Sequence, residues 1–164
     1  MAKRPHLPTT RAVLVLREAG VDFEPHVFRY EPRGGTRASA AALGVDEHRV
    51  IKTLVMSDEQ GRPVVVLMHG DRSVSTKALA RELGHKSVVP CAPVVAERHS
   101  GYKVGGTSPF GTVTPMPVYV ESSILDLERI YINGGSRGFL VEIDPWALVE
   151  VLGAEPVDVA IARR

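Results

Sequence analysis

The sequence predicts an α+β fold, a mixed sheet with helices around it. Three observations carry this expectation. Strand-like and helix-like segments are interspersed without strict βα alternation, and hairpin signals are prominent, which disfavours a doubly wound parallel sheet. The chain has 164 residues, 44% apolar and 24% charged, enough to bury one core without staples. No internal repeat, low-complexity tract or linker divides it, so residues 1–164 read as one domain.

The elements follow in order. Thr9 or Thr10 caps a helix over Arg11 to Ala19, which Gly20 stops. Phe23 to Phe28 reads as a strand made edge-like by Pro25. A loop from Glu31 to Thr36 leads to a short alanine-rich helix, capped by Thr36 or Ser39 and ending at Gly44; Asp46 caps another short turn. Val50 to Met56 and Pro63 to Met68 form a hairpin across Asp58-Glu59-Gln60-Gly61. Ser75 starts a helix over Thr76 to Leu83, Val88-Val89 is extended, and Ala92 to Arg98 is helical. After a glycine-rich stretch, Val118 to Glu121 and Arg129 to Ile132 read as strands. Gly134-Gly135-Ser136 turns the chain into a strand over Gly138 to Ile143. Asp144-Pro145 starts a helix running to about Leu152. Val157 to Ile161 is the last strand.

Composition narrows the functional classes. Cys91 is the only cysteine, so there is no intramolecular disulfide and no cysteine-based zinc site, and a cytoplasmic setting is expected. Met1-Ala2-Lys3-Arg4-Pro5 lacks the apolar run of a signal peptide. No stretch approaches the ~18 apolar residues of a membrane span. A net charge of +1 argues against coating nucleic acid by bulk charge.

Three features stand out chemically. Alternation places Val50, Lys52, Leu54 and Met56 on one strand face, so Lys52 sits where a core residue belongs. It either snorkels to the sheet edge or serves a site. Gly101-Tyr102-Lys103-Val104-Gly105-Gly106-Thr107-Ser108-Pro109-Phe110-Gly111 holds several glycines. Such a loop is either an elaborate turn or a nest of N–H groups for an anion or developing oxyanion. It matches neither a P-loop nor a dinucleotide fingerprint. Asn133-Gly134-Gly135-Ser136-Arg137-Gly138 reads as a hairpin turn whose Arg137 reaches toward a phosphate.

The other candidates are weaker. Histidines at 6, 26, 48, 69, 85 and 99 show no metal spacing and read mostly as surface residues. No metal site or cofactor is expected. Cys91 reads as a buried inert thiol. No nucleophile elbow exists. Lys77 and Arg81 share a helix face, either solvated or part of a phosphate track.

Together, Lys52-Thr53-Leu54, Gly101 to Gly111 and Gly134-Gly135-Ser136-Arg137-Gly138 resemble the YbaK/EbsC group of the prolyl-tRNA-synthetase editing-domain superfamily, in family order over nearly the whole chain. The resemblance implies a mostly antiparallel sheet curled into a barrel-like body and flanked by helices. It also implies a substrate, an amino acid esterified to the terminal adenosine of a tRNA. Cys-tRNA(Pro) deacylation is the expected activity, with a deacylase for alanine or serine, or a non-catalytic tRNA- or synthetase-binding module, as alternatives. The partners implied are misacylated tRNA, at its acceptor end, and prolyl-tRNA synthetase.

By the same resemblance, Lys52, Gly105 and Gly106 are the catalytic positions. Phe28, Tyr30, Thr53, Tyr102, Thr107, Ser108, Pro109, Gly134, Gly135 and Arg137 are the substrate-binding ones. Two departures bear on specificity: Phe28, with Tyr30 two residues on, stands where the family often has tyrosine, and Leu140 stands where it has aspartate. No general base or nucleophile triad is evident, so catalysis is expected from positioning and from loop N–H groups on the oxyanion; for cysteine, the resemblance further implies attack by the substrate's own thiol.

Overall fold

The computed structural model describes residues 7–163. Met1 to Pro5, read above for a missing signal peptide, and His6 lie outside the described residues.

Helix α1 spans Arg11–Glu18. The Thr10 hydroxyl accepts the Val13 N–H at 3.1 Å and donates to the Gly134 carbonyl at 2.5 Å, so the helix start is tied to a distant strand. Strand β1 is Glu24–Val27, α2 is Gly35–Leu43, and a 3-10 turn covers Glu47–Arg49. Then come β2 (Val50–Asp58), β3 (Pro63–His69), β4 (Arg72–Val74), α3 (Thr76–Leu83), β5 (Val88–Pro90) and α4 (Pro93–Ser100). After the glycine loop follow β6 (Val118–Glu121), a 3-10 turn (Ser122–Asp126), β7 (Ile130–Ser136), β8 (Phe139–Ile143), α5 (Ala147–Leu152), β9 (Glu155–Val157) and β10 (Ala160–Ala162).

The main sheet runs β1-β8-β7-β2-β3-β6-β9, with β5 also on β2; β4 and β10 pair separately. The β2/β3, β7/β8, β1/β8, β2/β5 and β4/β10 pairs are antiparallel, whereas β2/β7, β3/β6 and β6/β9 are parallel. The expected mixed α+β sheet with flanking helices is the one found.

Alternation divides the core. Ile51, Val65 and Leu67 face the main cluster, with Leu16 of α1, Leu148 of α5, and Tyr102 and Phe110 of the glycine loop. Met56, Val64, Val66 and Met68 face the other way, toward Leu79 of α3. Val50 joins a third cluster with Ala40 of α2, Tyr131 and Leu140. Because β2 and β3 are covered on both faces, they read as near-continuous apolar runs.

Several local expectations are corrected. β7 runs straight through Asn133-Gly134-Gly135-Ser136, with a bulge between Asn133 and Ser136, and the reversal falls at Arg137-Gly138. Neither Thr36 nor Ser39 caps α2. Gly34 stands at the cap without a side-chain bond; Thr36 Oγ1 donates to Glu47, and Ser39 Oγ donates to the Gly35 carbonyl. The single last strand is two, β9 and β10, and β4 had no forecast. Asp144 accepts the Trp146 N–H, but regular helix starts at Ala147.

Candidate active site

The site sits where β2 changes neighbours. On one edge β2 pairs with β7 only at Val50 and Ile51, and with β5 only from Met56 to Asp58. Between them, among the described residues, the edge from Lys52 to Leu54 has no paired strand. A cavity of about 860 Å³ opens there, within the usual range for small-molecule sites. Consecutive side chains point to opposite faces. Lys52 therefore serves the α2 side and Thr53 the glycine-loop side.

Lys52 lies between two apolar clusters and is neither buried nor free. Its ammonium donates to the Arg72 carbonyl. Around it stands a charged frame. Arg163 pairs with Glu47 at 2.6 Å and donates to the Gly70 carbonyl at 3.0 Å, and Thr36 Oγ1 donates to Glu47 at 2.7 Å. Burial first, then repulsion from Arg163, holds the Lys52 pKa below the ordinary 10.5, against the pull of Glu47 and Asp71.

The glycine loop is pinned through its carbonyls. The Lys103 carbonyl accepts the Gly106 N–H at 2.8 Å, which closes a turn. Arg137 Nε donates to the Val104 carbonyl at 2.8 Å, and Asn133 Nδ2 to the Gly105 carbonyl at 3.2 Å. Gly105 has φ +88°, and a Cβ there would meet the Tyr30 hydroxyl at 2.6 Å. A planar peptide points its N–H away from its carbonyl. With the Val104 carbonyl on Arg137, the Gly105 N–H points the other way and has no acceptor among the described residues. The Gly106 N–H is not free in this sense. Gly106 instead allows close approach, since a Cβ there would meet the Arg137 nitrogen at 2.9 Å.

Of the residues selected from sequence, Phe28, Tyr30, Lys52, Thr53, Gly105, Thr107 and Arg137 line the cavity, as does Leu140. The Arg137 guanidinium lies 5.2 Å from the centroid of the Tyr30 ring. The others support the wall from behind. Tyr102 is buried and donates to the Phe110 carbonyl at 2.5 Å, and Ser108 Oγ accepts the Phe110 N–H at 3.1 Å. Pro109 is buried beside them. Gly134 and Gly135 lie against Phe139 and Tyr102.

Sequence reasoning missed several features. Cys91 is not buried but partly exposed on the cavity wall. Asn133, noted only as a turn residue, also lines it. Arg163 gave no local signal. His69 is fully buried rather than superficial. It stacks on His48 with ring centroids 3.7 Å apart, and His48 Nδ1 lies 2.8 Å from Asp71. That trio, like Glu24, His26 and Glu142, converges in space without metal-ligand spacing in sequence. Both His69 nitrogens are already held, by the His48 carbonyl and Ser123 Oγ at 2.7 Å each. Burial pushes the His69 pKa down, which favours the neutral ring.

Comparison with known proteins identifies the family and the fold. The profile of the aminoacyl-tRNA editing domain matches residues 31–151. The Enterococcus faecalis protein named "Putative Cys-tRNA(Pro)/Cys-tRNA(Cys) deacylase EbsC" is 28% identical over 156 residues, covering 94% of this chain and 95% of its own. YwhH of Bacillus subtilis is 27% identical, over 77% of this chain and 81% of its own. A solved structure described as hypothetical protein APE2540 superposes with a TM-score of 0.85 at 26% identity, covering 93% of this chain and 100% of that one. Another, described as "a putative trans-editing enzyme for prolyl tRNA synthetase", has a TM-score of 0.80 at 22% identity over 93% and 96%. Among the described residues, no helix is long and apolar enough to cross a membrane. The profile match and the shared fold place the chain in the YbaK-like aminoacyl-tRNA editing domain family.

Proposed function

We propose that this editing domain hydrolyses Cys-tRNA(Pro) in trans, in the cytoplasm, with Lys52 and the Gly105 loop as its working parts. The observation that supports this reading is the gap in the edge of β2, which opens a cavity lined both by Lys52 and by a carbonyl-pinned glycine loop. The relative from Enterococcus faecalis supports cysteine and tRNA(Pro) as the substrate. The acceptor end of the tRNA enters the cavity, and prolyl-tRNA synthetase is the partner that presents it.

An aminoacyl ester is already reactive, so positioning suffices. The Gly105 N–H supports the oxyanion of the tetrahedral intermediate; one such donor is worth ~10²–10³ in rate. Lys52 orients the substrate by charge. For cysteine, the substrate thiol attacks its own ester carbonyl. A C–S bond forms, the C–O bond to ribose breaks, and the ribose oxygen takes the thiol proton as a cyclic thiolactone leaves. Well-oriented intramolecular attack reaches effective molarities of ~10⁵–10⁸ M. Alanine lacks the thiol and is spared. An apolar pocket alone would separate such small side chains by only ~1–3 kcal/mol.

Deacylation of tRNA(Pro) charged with cysteine, alanine, serine or proline tests the specificity. Rapid loss of cysteine alone supports the thiol route. Loss of alanine or serine moves the specificity to the wall at Phe28 and Leu140. Tight tRNA binding without any ester loss would make the domain a binding module and overturn the reading.

A further inference from the structure

Glu121, the last residue of β6, is a buried acid that does not line the cavity; it is 5% exposed. Such a group costs free energy unless it is bonded, and here the backbone supplies the bonds. Glu121 Oε1 accepts the Val159 N–H at 2.7 Å and the Ala160 N–H at 2.9 Å. These two donors lie where the chain enters β10. The Val159 carbonyl in turn accepts the N–H of Ser75, the residue after β4, at 2.8 Å. At the far end of β10, Arg163 holds Glu47 and the Gly70 carbonyl. The short strand is thus pinned at both ends.

Between the pins β10 pairs with β4: Ala160 stands opposite Val74, Ile161 opposite Ser73 and Ala162 opposite Arg72. Among the described residues β4 has no other strand partner. Two strands alone are marginal in water, so β4 leans on the anchors of β10. The Arg72 carbonyl is the group that accepts the Lys52 ammonium. A planar peptide aims that carbonyl only as firmly as β4 is held. A lysine head on a flexible four-carbon stem needs such a fixed acceptor. We infer that Glu121 is a positioning residue: its carboxylate fastens β10, β10 fastens β4, and β4 aims the carbonyl that holds Lys52 at the cavity. The inference rests on the proposed function for what Lys52 does there, not for how it is held.

The order of the Lys52 side chain, read by NMR relaxation at its ε-carbon in the full chain, tests these contacts without any substrate. In a folded Glu121→Ala protein that order should be lost. Glu121→Gln should keep it, because one amide oxygen can accept both N–H groups, and the amide nitrogen can donate to Ser123 Oγ, 3.4 Å from the Glu121 carboxylate. Glu121→Asp, one methylene shorter, should lose it as well and serves if Glu121→Ala does not fold, as melting temperatures will show. Single-turnover release of cysteine from tRNA(Pro), at saturating enzyme, should fall about tenfold in Glu121→Ala, the worth of one hydrogen bond. It should stay at the wild-type rate in Glu121→Gln. Added to Lys52→Ala, Glu121→Ala should cost nothing more, since both act through one contact. A Lys52 already mobile in wild type, undiminished order in folded Glu121→Ala or Glu121→Asp, equal loss in Glu121→Gln, or the full cost in the Lys52→Ala background would overturn the inference. A Lys52 ordered by Glu121 in a protein that hydrolyses no charged tRNA would overturn the proposed reaction and leave this anchoring standing.

Discussion

Lys52 shows how one residue can break a pattern for a reason. Its neighbours on the same face, Val50 and Met56, are buried in separate clusters, and Lys52 occupies the break between them. The C-terminal Arg163 completes its frame through Glu47 and Gly70. Both burial and Arg163 lower the Lys52 pKa. The sign follows: between the lowered folded value and the ordinary 10.5 the unfolded chain binds more protons, so stability rises with pH across that window. Arg163→Gln removes one lowering charge and releases Glu47, so the Lys52 pKa should rise toward 10.5. Titration of the Lys52 ε-carbon by NMR checks this; an unchanged or lower value in the variant would refute the frame. Lys52 was legible in sequence because a charge interrupts an apolar alternation. Arg163 was not, because it reaches Glu47 only through tertiary folding.

At the scale of elements, the β7 bulge and the glycine loop form one unit. Asn133 Oδ1 accepts the N–H groups of Gly135 and Ser136, at 2.7 and 3.2 Å, while its Nδ2 holds the Gly105 carbonyl. Asn133→Asp keeps the acceptor and removes the donor. It should lower deacylation kcat/KM by about tenfold, the worth of one hydrogen bond, with little change in melting temperature. Asn133→Ala should lower both. Full activity in a folded Asn133→Asp protein would show that the loop needs no clamp. The sequence marked this region correctly as special but misplaced its turn. Asn-Gly is a common hairpin signal, yet here the asparagine side chain bonds inside a bulge and β7 continues to Ser136. Tyr102, Ser108 and Pro109 fell within a motif that resembled a site. Their burial makes them its backing instead.

At the scale of the molecule, the hairpins were legible and the crossings were not. β2/β3 and β7/β8 join neighbouring segments across short turns, and their turn residues announce them. The parallel pairs join segments far apart, Val50 with Tyr131 and Val65 with Val118, and no local signal fixes such partners. The cavity arises from those long-range choices, because β7 and β5 share one edge of β2 and leave Lys52 to Leu54 unpaired there. A recognisable motif order thus revealed the family, while the gap that makes the site required the assembled sheet.

Release of cysteine from tRNA(Pro) in this cavity through Lys52 is the reaction we propose. Single-turnover deacylation of Cys-tRNA(Pro) by wild type and Lys52→Ala, with melting temperatures measured on both, tests it most directly. Fast release by wild type is expected, with a fall of about hundredfold in a folded Lys52→Ala protein, comparable to loss of one donor at a reacting centre. A folded Lys52→Ala protein that releases cysteine at the wild-type rate would contradict it.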